Sequence, residues 1–286
     1  MVLAFSLASV EAGLRAARPL LLPPLPVIPT DSARSVLCIG DSVTQGIGTD
    51  ESRDPWPLQL RDRLKAAHVP STSVVPLGRA GAGAGADYVR DVVYPVLDAL
   101  PSASRPIAVV MLGHNDFLVW EDYAEQLADR PDLVDRPRGS GSPLAIVRLF
   151  RWATSGDQRP QFAIEGFRLA TFRSVLGTLR DRVRQRGGEM WLSTYLIPGA
   201  PTPGMEPRLA EVVGYARSGE ALINDEIRRT AALLSVPLID LEEIIPVAAD
   251  FDPAVFTDQI HLTPAGLALV AEAVGDRLTE DGALAE

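Results

Sequence analysis

The sequence predicts a three-layer α/β/α sandwich around a five-stranded, mainly parallel sheet. Three observations predict it. Five short apolar runs recur along the chain, and they lack the alternation of a strand with one wet face. Helical patterns separate them, in the rhythm of a doubly wound sheet. The first three runs end in loops rich in glycine and small polar residues, the setting in which open α/β sheets form their sites.

The first run is Ser35–Ile39 and ends in Gly40-Asp41-Ser42. Ser73–Leu77 is the second and leads into a loop with Gly78, Gly81, Gly83 and Gly85. The third, Ile107–Leu112, ends in Gly113-His114-Asn115-Asp116. Glu189–Tyr195 and Val236–Leu241 complete the set. Helices are predicted over Pro57–Ala67, Ala86–Leu97, Phe167–Arg186, Ser218–Leu234 and Thr263–Leu278. In the third of these, Phe167, Leu169, Phe172, Val175, Leu176 and Leu179 gather near one face and arginines on the other. Pro264, after Thr263, suits the first turn of the last helix.

Three stretches lie outside this rhythm. Residues 117–165 form a long insertion with Trp120, Tyr123, Phe150, Trp152 and Phe162, and a Gly-Ser-Gly-Ser run at 139–142. Residues 198–217, rich in proline and glycine, read as a loop after the fourth strand. Residues 1–30 read as an N-terminal arm or the remnant of an anchor or signal, and 31–286 as a single domain. The apolar start, Met1 to Val10, is too short to span a bilayer and lacks a basic leading segment.

Of the 286 residues, 47% are hydrophobic, ample for a sizeable core. The formal net charge of -10 excludes a global attraction to nucleic-acid phosphate. Lys65 is the lone lysine and has no Gly-Lys-Ser/Thr context, which removes a P-loop. Cys38 is the lone cysteine, so neither an internal disulfide nor a cysteine-based zinc cluster is expected. Its apolar setting reads as a small buried hydrophobe.

The chemistry concentrates at three loops. Ser42 follows a strand directly, where its hydroxyl is aimed across the top of the sheet and nearby N–H groups can face an oxyanion. The plain alternative is a helix-capping serine. Asn115 offers an amide donor for an oxyanion, or a turn asparagine. The glycines of the 78–85 loop permit close backbone approach and positive φ. Gly81-x-Gly83-x-x-Ala86 also fits a relaxed dinucleotide fingerprint, but the next strand ends in Leu-Gly-His, not in an acid that would take a ribose. His261 lies three residues after Asp258, as a general base with its orienting acid would. The other histidines are His68 and His114, and His114 is the competitor because it adjoins Asn115.

In this order the set Gly40-Asp41-Ser42, the glycine loop, Gly113-x-Asn115-Asp116 and Asp258-x-x-His261 resembles the SGNH (GDSL) hydrolase superfamily, over about residues 35–280. The resemblance implies a flavodoxin-like sandwich and a serine esterase without cofactor or metal. It makes Ser42 the nucleophile, with Asp258 and His261 completing a triad. It also makes the N–H groups of Ser42 and Gly81 and the amide of Asn115 the oxyanion donors. Pro76 stands where the family often has asparagine, which leaves open the loop's anchoring and the choice among Gly78, Gly81 and Gly83. The arm at 1–30 is similar to that of membrane-anchored bacterial members. An extracytoplasmic or membrane-anchored location, with peripheral membrane association through the arm, is the matching expectation.

The expected activity is hydrolysis of a carboxylic ester, short-chain or an acetylated carbohydrate, through an acyl-enzyme. The expected partner is that small-molecule or glycan ester, and not nucleic acid. Rival readings are a carbohydrate O-acyltransferase with the same triad, a catalytically silent binding module of this fold, and a nucleotide-binding oxidoreductase.

Overall fold

The five apolar runs pair into one all-parallel sheet: β1 (Arg34–Gly40), β2 (Thr72–Gly78), β3 (Arg105–Met111), then β6 (Glu189–Ser193) and β7 (Leu238–Ile239). The strand order is β2-β1-β3-β6-β7. This computed structural model describes residues 33–69, 72–120, 160–162, 166–246 and 248–285. Val36, Leu37, Cys38 and Ile39 of β1 and Val109 of β3 have no exposed surface, so helices cover both faces of these strands.

Between the strands lie α1 (Ser42–Gln45), α2 (Trp56–Ala66), α3 (Ala86–Tyr88), a π-helical turn (Val89–Val93), α4 (Tyr94–Ala99), α5 (His114–Phe117), α6 (Phe167–Gln185), α7 (Pro207–Leu234), α8 (Leu241–Ile244) and α9 (Pro264–Glu280). Helices α2 and α9 pack on each other in one layer, against β2 and β7. In the other, α6 packs on β3, β6 and α7, and its Arg182 lies over the Tyr94 ring of α4 at 4.0 Å. The chain divides into two compact units. The larger, Pro26–Leu118 with Phe162–Glu286, carries this sheet. Of the smaller, Met1–Leu25 with Val119–Gln161, only residues 119–120 and 160–161 are described. Strands β4 (Leu118–Trp120) and β5 (Pro160–Phe162) pair in a separate two-stranded sheet. The arm at 1–30 and nearly all of the 117–165 insertion lie outside the described residues. Among those described, no helix is long and apolar enough to cross a membrane.

Three expectations change. The 198–217 stretch is not all loop, because α7 begins at Pro207 rather than Ser218. Proline suits a helix start, and Val213 and Ala216 are buried along it. Gly214, which weakens a sequence prediction of helix, faces open space and is tolerated. The helix expected over Ala86–Leu97 is interrupted by the π-helical turn. Tyr94 N–H bonds back to Val89 C=O there, just before Pro95, which has no N–H to donate. The last two strands are shorter than expected: β7 keeps only Leu238 and Ile239.

Register places the site. Gly40 pairs with Gly78 on one side and with Met111 on the other. The carboxyl ends of β1, β2 and β3 are therefore level, and the loops bearing Ser42, Gly81 and Asn115 leave the same edge. Glycine is needed at Gly40 and Gly78, where a Cβ would overlap Thr44 and the backbone at Thr44 and Gln45. That clearance lets α1 lie over the strand ends.

Candidate active site

Asp41 ends the extended chain and caps α1, its Oδ1 accepting from Val43 N–H at 3.0 Å. Ser42 is thus the first residue of a short helix. Gly46 closes that helix in the left-handed region, at φ 78°. Among the described residues, Ser42 N–H donates no hydrogen bond, so it stays available beside its own hydroxyl.

His261 arrives from the far end of the chain. An isolated bridge joins Phe256 to Leu262, and Thr257 N–H donates to His261 C=O at 2.8 Å, closing a tight turn. Inside it, Asp258 Oδ1 accepts from the N–H groups of Ile260 at 2.9 Å and His261 at 2.8 Å. Asp258 Oδ2 lies 2.7 Å from His261 Nδ1, and His261 Nε2 lies 3.0 Å from Ser42 Oγ. With Nδ1–H given to Asp258, Nε2 is left to accept the Ser42 proton. Partial burial opposes the charge on Asp258. The hydrogen bonds from His261 and the two N–H groups outweigh it and hold the carboxyl below its ordinary range. Thr263 then caps α9, whose first residue is Pro264.

Of the three histidines, His261 meets Ser42. His114 is turned to α7, where its Nδ1 bonds Glu220 Oε1. Burial opposes the His114 charge, but Glu220, Asp41 and Asp258 together raise its pKa above the ordinary value. His68 lies just past α2 with φ 55° and has no part in the cluster.

Next to Asp41, Asn115 Nδ2 donates to Ala82 C=O at 3.0 Å and lies 3.4 Å from Asp41 Oδ2. The glycine loop is held by two side chains not assigned a role from sequence. Asp116 accepts from Ala84 N–H at 2.7 Å and from Gly85 N–H at 3.1 Å. Gln45 Oε1 accepts from Ala80 N–H at 2.6 Å. Those bonds supply the anchoring that Pro76 in place of asparagine had left open. They also occupy N–H groups at the start of α3 that a dinucleotide pyrophosphate would need. Gly81 lies between the two clamps at φ 71°, and among the described residues its N–H donates no hydrogen bond. Gly83 lies under Asp116, where an added Cβ would come within 2.6 Å of Oδ1.

Beneath the site, Asp41 has no exposed surface. Its Oδ2 accepts from Tyr195 Oη at 2.8 Å. Burial pushes the Asp41 carboxyl up, only partly countered by the charge of His114 and the hydrogen bonds from Tyr195 and Val43. Asp41 and Asp116 each stand beside a motif residue and could have been read as a cap and a loop acceptor. Tyr195 and Glu220 carried no sequence signal, since only the fold brings β6 and α7 to this floor.

A profile of the GDSL-like lipase/acylhydrolase family matches residues 38–269. No curated protein matches the chain significantly. Among solved structures, a lipase/acylhydrolase from Enterococcus faecalis is 16% identical with a TM-score of 0.54, over 87% of this chain and 96% of its own. A carbohydrate acetylesterase from Sinorhizobium meliloti is 15% identical with a TM-score of 0.50, over 86% of this chain and 99% of its own. The aryl esterase of M. smegmatis is likewise 15% identical with a TM-score of 0.50, over 86% and 99%. At such identities the likeness is one of fold.

Proposed function

Since the chain belongs to the GDSL-like lipase/acylhydrolase family, we propose that it is a serine ester hydrolase working through an acyl-enzyme. The observation that carries the reading is the hydrogen-bonded row Asp258–His261–Ser42, with contacts of 2.7 and 3.0 Å. His261 Nε2 takes the Ser42 proton as Oγ attacks the ester carbonyl carbon. The carbonyl oxygen gains negative charge and is held by the N–H groups of Ser42 and Gly81 and the amide of Asn115. His261 returns its proton to the departing alcohol. Water, deprotonated by the same imidazole, then attacks the acyl carbon, and Ser42 leaves reprotonated as the acid is released. Asp258 keeps the imidazole in the required tautomer and stabilises its charged form. We assign the substrate to short-chain acyl esters, acetylated carbohydrates included. The carbohydrate acetylesterase of like fold supports that assignment.

Ser42→Ala should abolish hydrolysis of phenyl acetate, and a fluorophosphonate should label Ser42 in the parent protein. Retained hydrolysis, or labelling elsewhere, overturns the reading. An acyl-chain series run beside acetylated xylose and glucose tests the substrate class. Fastest turnover on chains of eight carbons or more would overturn it.

A further inference from the structure

We propose that Tyr195 is a positioning residue of the oxyanion hole: by holding the Asp41 carboxylate, its hydroxyl sets the direction of the Asn115 amide. The inference rests on the roles assigned above to Ser42 and Asn115. Asn115 has one amide and two ways to face. The nitrogen end meets Ala82 C=O at 3.0 Å and Asp41 Oδ2 at 3.4 Å. Both are acceptors. Turned over, the amide would set its own oxygen against a carbonyl and a carboxylate, so the pair admits one orientation. One N–H is committed to Ala82. The other meets Asp41 at 3.4 Å, long for a hydrogen bond, and is readily exchanged for a developing oxyanion.

The Asp41 half of that selection works only while Oδ2 remains an anionic acceptor in place, and Tyr195 supplies the constraint. Its hydroxyl donates to Oδ2 at 2.8 Å and has Met111 C=O at 3.3 Å as its alternative. The residue is 1% exposed. Its backbone is pinched by Asn224 of α7, which accepts from Tyr195 N–H at 2.8 Å and donates to Tyr195 C=O at 2.9 Å. A protonated Asp41 could donate to a reversed amide, and the Ala82 carbonyl alone would then oppose the reversal. Besides Tyr195, the titratable groups that act on Asp41 are His114 of α5 and Glu220 of α7, and Tyr88 of α3 senses it in turn. Burial raises the carboxyl and the Tyr195 bond pulls it back, so removing that bond moves it further up.

The test is Tyr195→Phe, alone and combined with Asn115→Ala, with rates normalised to sites titrated by a fluorophosphonate so that misfolded protein does not count. Tyr195→Phe should lower kcat roughly tenfold with KM within about twofold, and should move the acid limb of the kcat profile to higher pH. In the Asn115→Ala background the same change should cost less than about twofold, because the group it positions is already gone. Multiplying losses, or an unmoved acid limb, would overturn the proposal in favour of a packing role. If Ser42→Ala is inactive while Tyr195→Phe matches the parent protein, only this inference fails. If Ser42→Ala stays active, the parent reading fails.

Discussion

Asp258 meets His261 across three residues of chain, whereas Asn115 is held by Ala82 and Asp41, 33 and 74 residues away. The proposed base side of the site is a local turn: one carboxylate bonds two backbone N–H groups and the imidazole together. The proposed oxyanion side is assembled from the ends of β1, β2 and β3, with Tyr195, beyond β6, bonded to Asp41 beneath it. The difference teaches that a three-residue spacing can specify the proposed base and its acid. An oxyanion hole exists only once the strands are in register. Damage to the first side should therefore stay in the chemistry, while damage to the second should spread into stability.

The largest separation of the two is expected from Asp258→Asn. The amide oxygen can still accept from the N–H groups of Ile260 and His261, so the turn should hold. The amide favours the wrong histidine tautomer and leaves the imidazolium unsupported, so kcat should fall about a thousandfold or more. Steady-state kinetics on phenyl acetate, beside a urea titration at pH 8, would measure both. The same variant tests pH dependence. Asp258 is held below its ordinary pKa in the folded protein. Its contribution to stability is therefore present above the unfolded carboxyl range and is lost as pH falls through the folded value. Asp258→Asn should weaken the loss of stability on acidification, read from melting temperature between pH 3 and 7. An unchanged acid slope would show that the turn does not depend on the charge.

Asp116→Ala should affect the oxyanion side in the opposite proportion. Asp116 is 5% exposed and is the acceptor for both Ala84 and Gly85 N–H. Truncation leaves two loop donors without it, at about 2 kcal/mol of stability. With the loop loosened, kcat should fall roughly tenfold as Gly81 drifts from the oxyanion. Urea denaturation and kcat together would check it. A kinetic loss with full stability would place Asp116 in the chemistry rather than under the loop.

This division also explains what could be read beforehand. The doubly wound sheet was legible because Val36–Ile39 and Ile107–Leu112 are buried on both faces and so are apolar without alternation. The Asp258 and His261 pair was legible because its geometry is local. Gln45 and Tyr195 were not, since each acts on a segment that only tertiary packing brings near. The start of α7 was missed for a related reason. Val213 and Ala216 are buried in the fold, yet the neighbouring prolines and glycines imitate a loop.

The smallest expected effect decides which glycine donates. Gly81→Ala adds a methyl where nothing lies within 4 Å, so its whole cost is the left-handed backbone at φ 71°, roughly 1 kcal/mol. Gly83→Ala puts a Cβ within 2.6 Å of Asp116 Oδ1 and 2.8 Å of Cγ, and should displace the clamp. Gly83→Ala is accordingly expected to reproduce Asp116→Ala, with stability and kcat falling together. Gly81→Ala should lower kcat only two- to fivefold, with little change in KM and a melting temperature within a few degrees of the parent. A phosphonate transition-state analogue sharpens the comparison. If Gly81 N–H is the donor, Gly81→Ala weakens analogue binding by the same factor as kcat/KM. If Gly81→Ala leaves analogue affinity untouched while Gly83→Ala reduces it at constant stability, the donor is Gly83 and the loop is held one step out of the register proposed here.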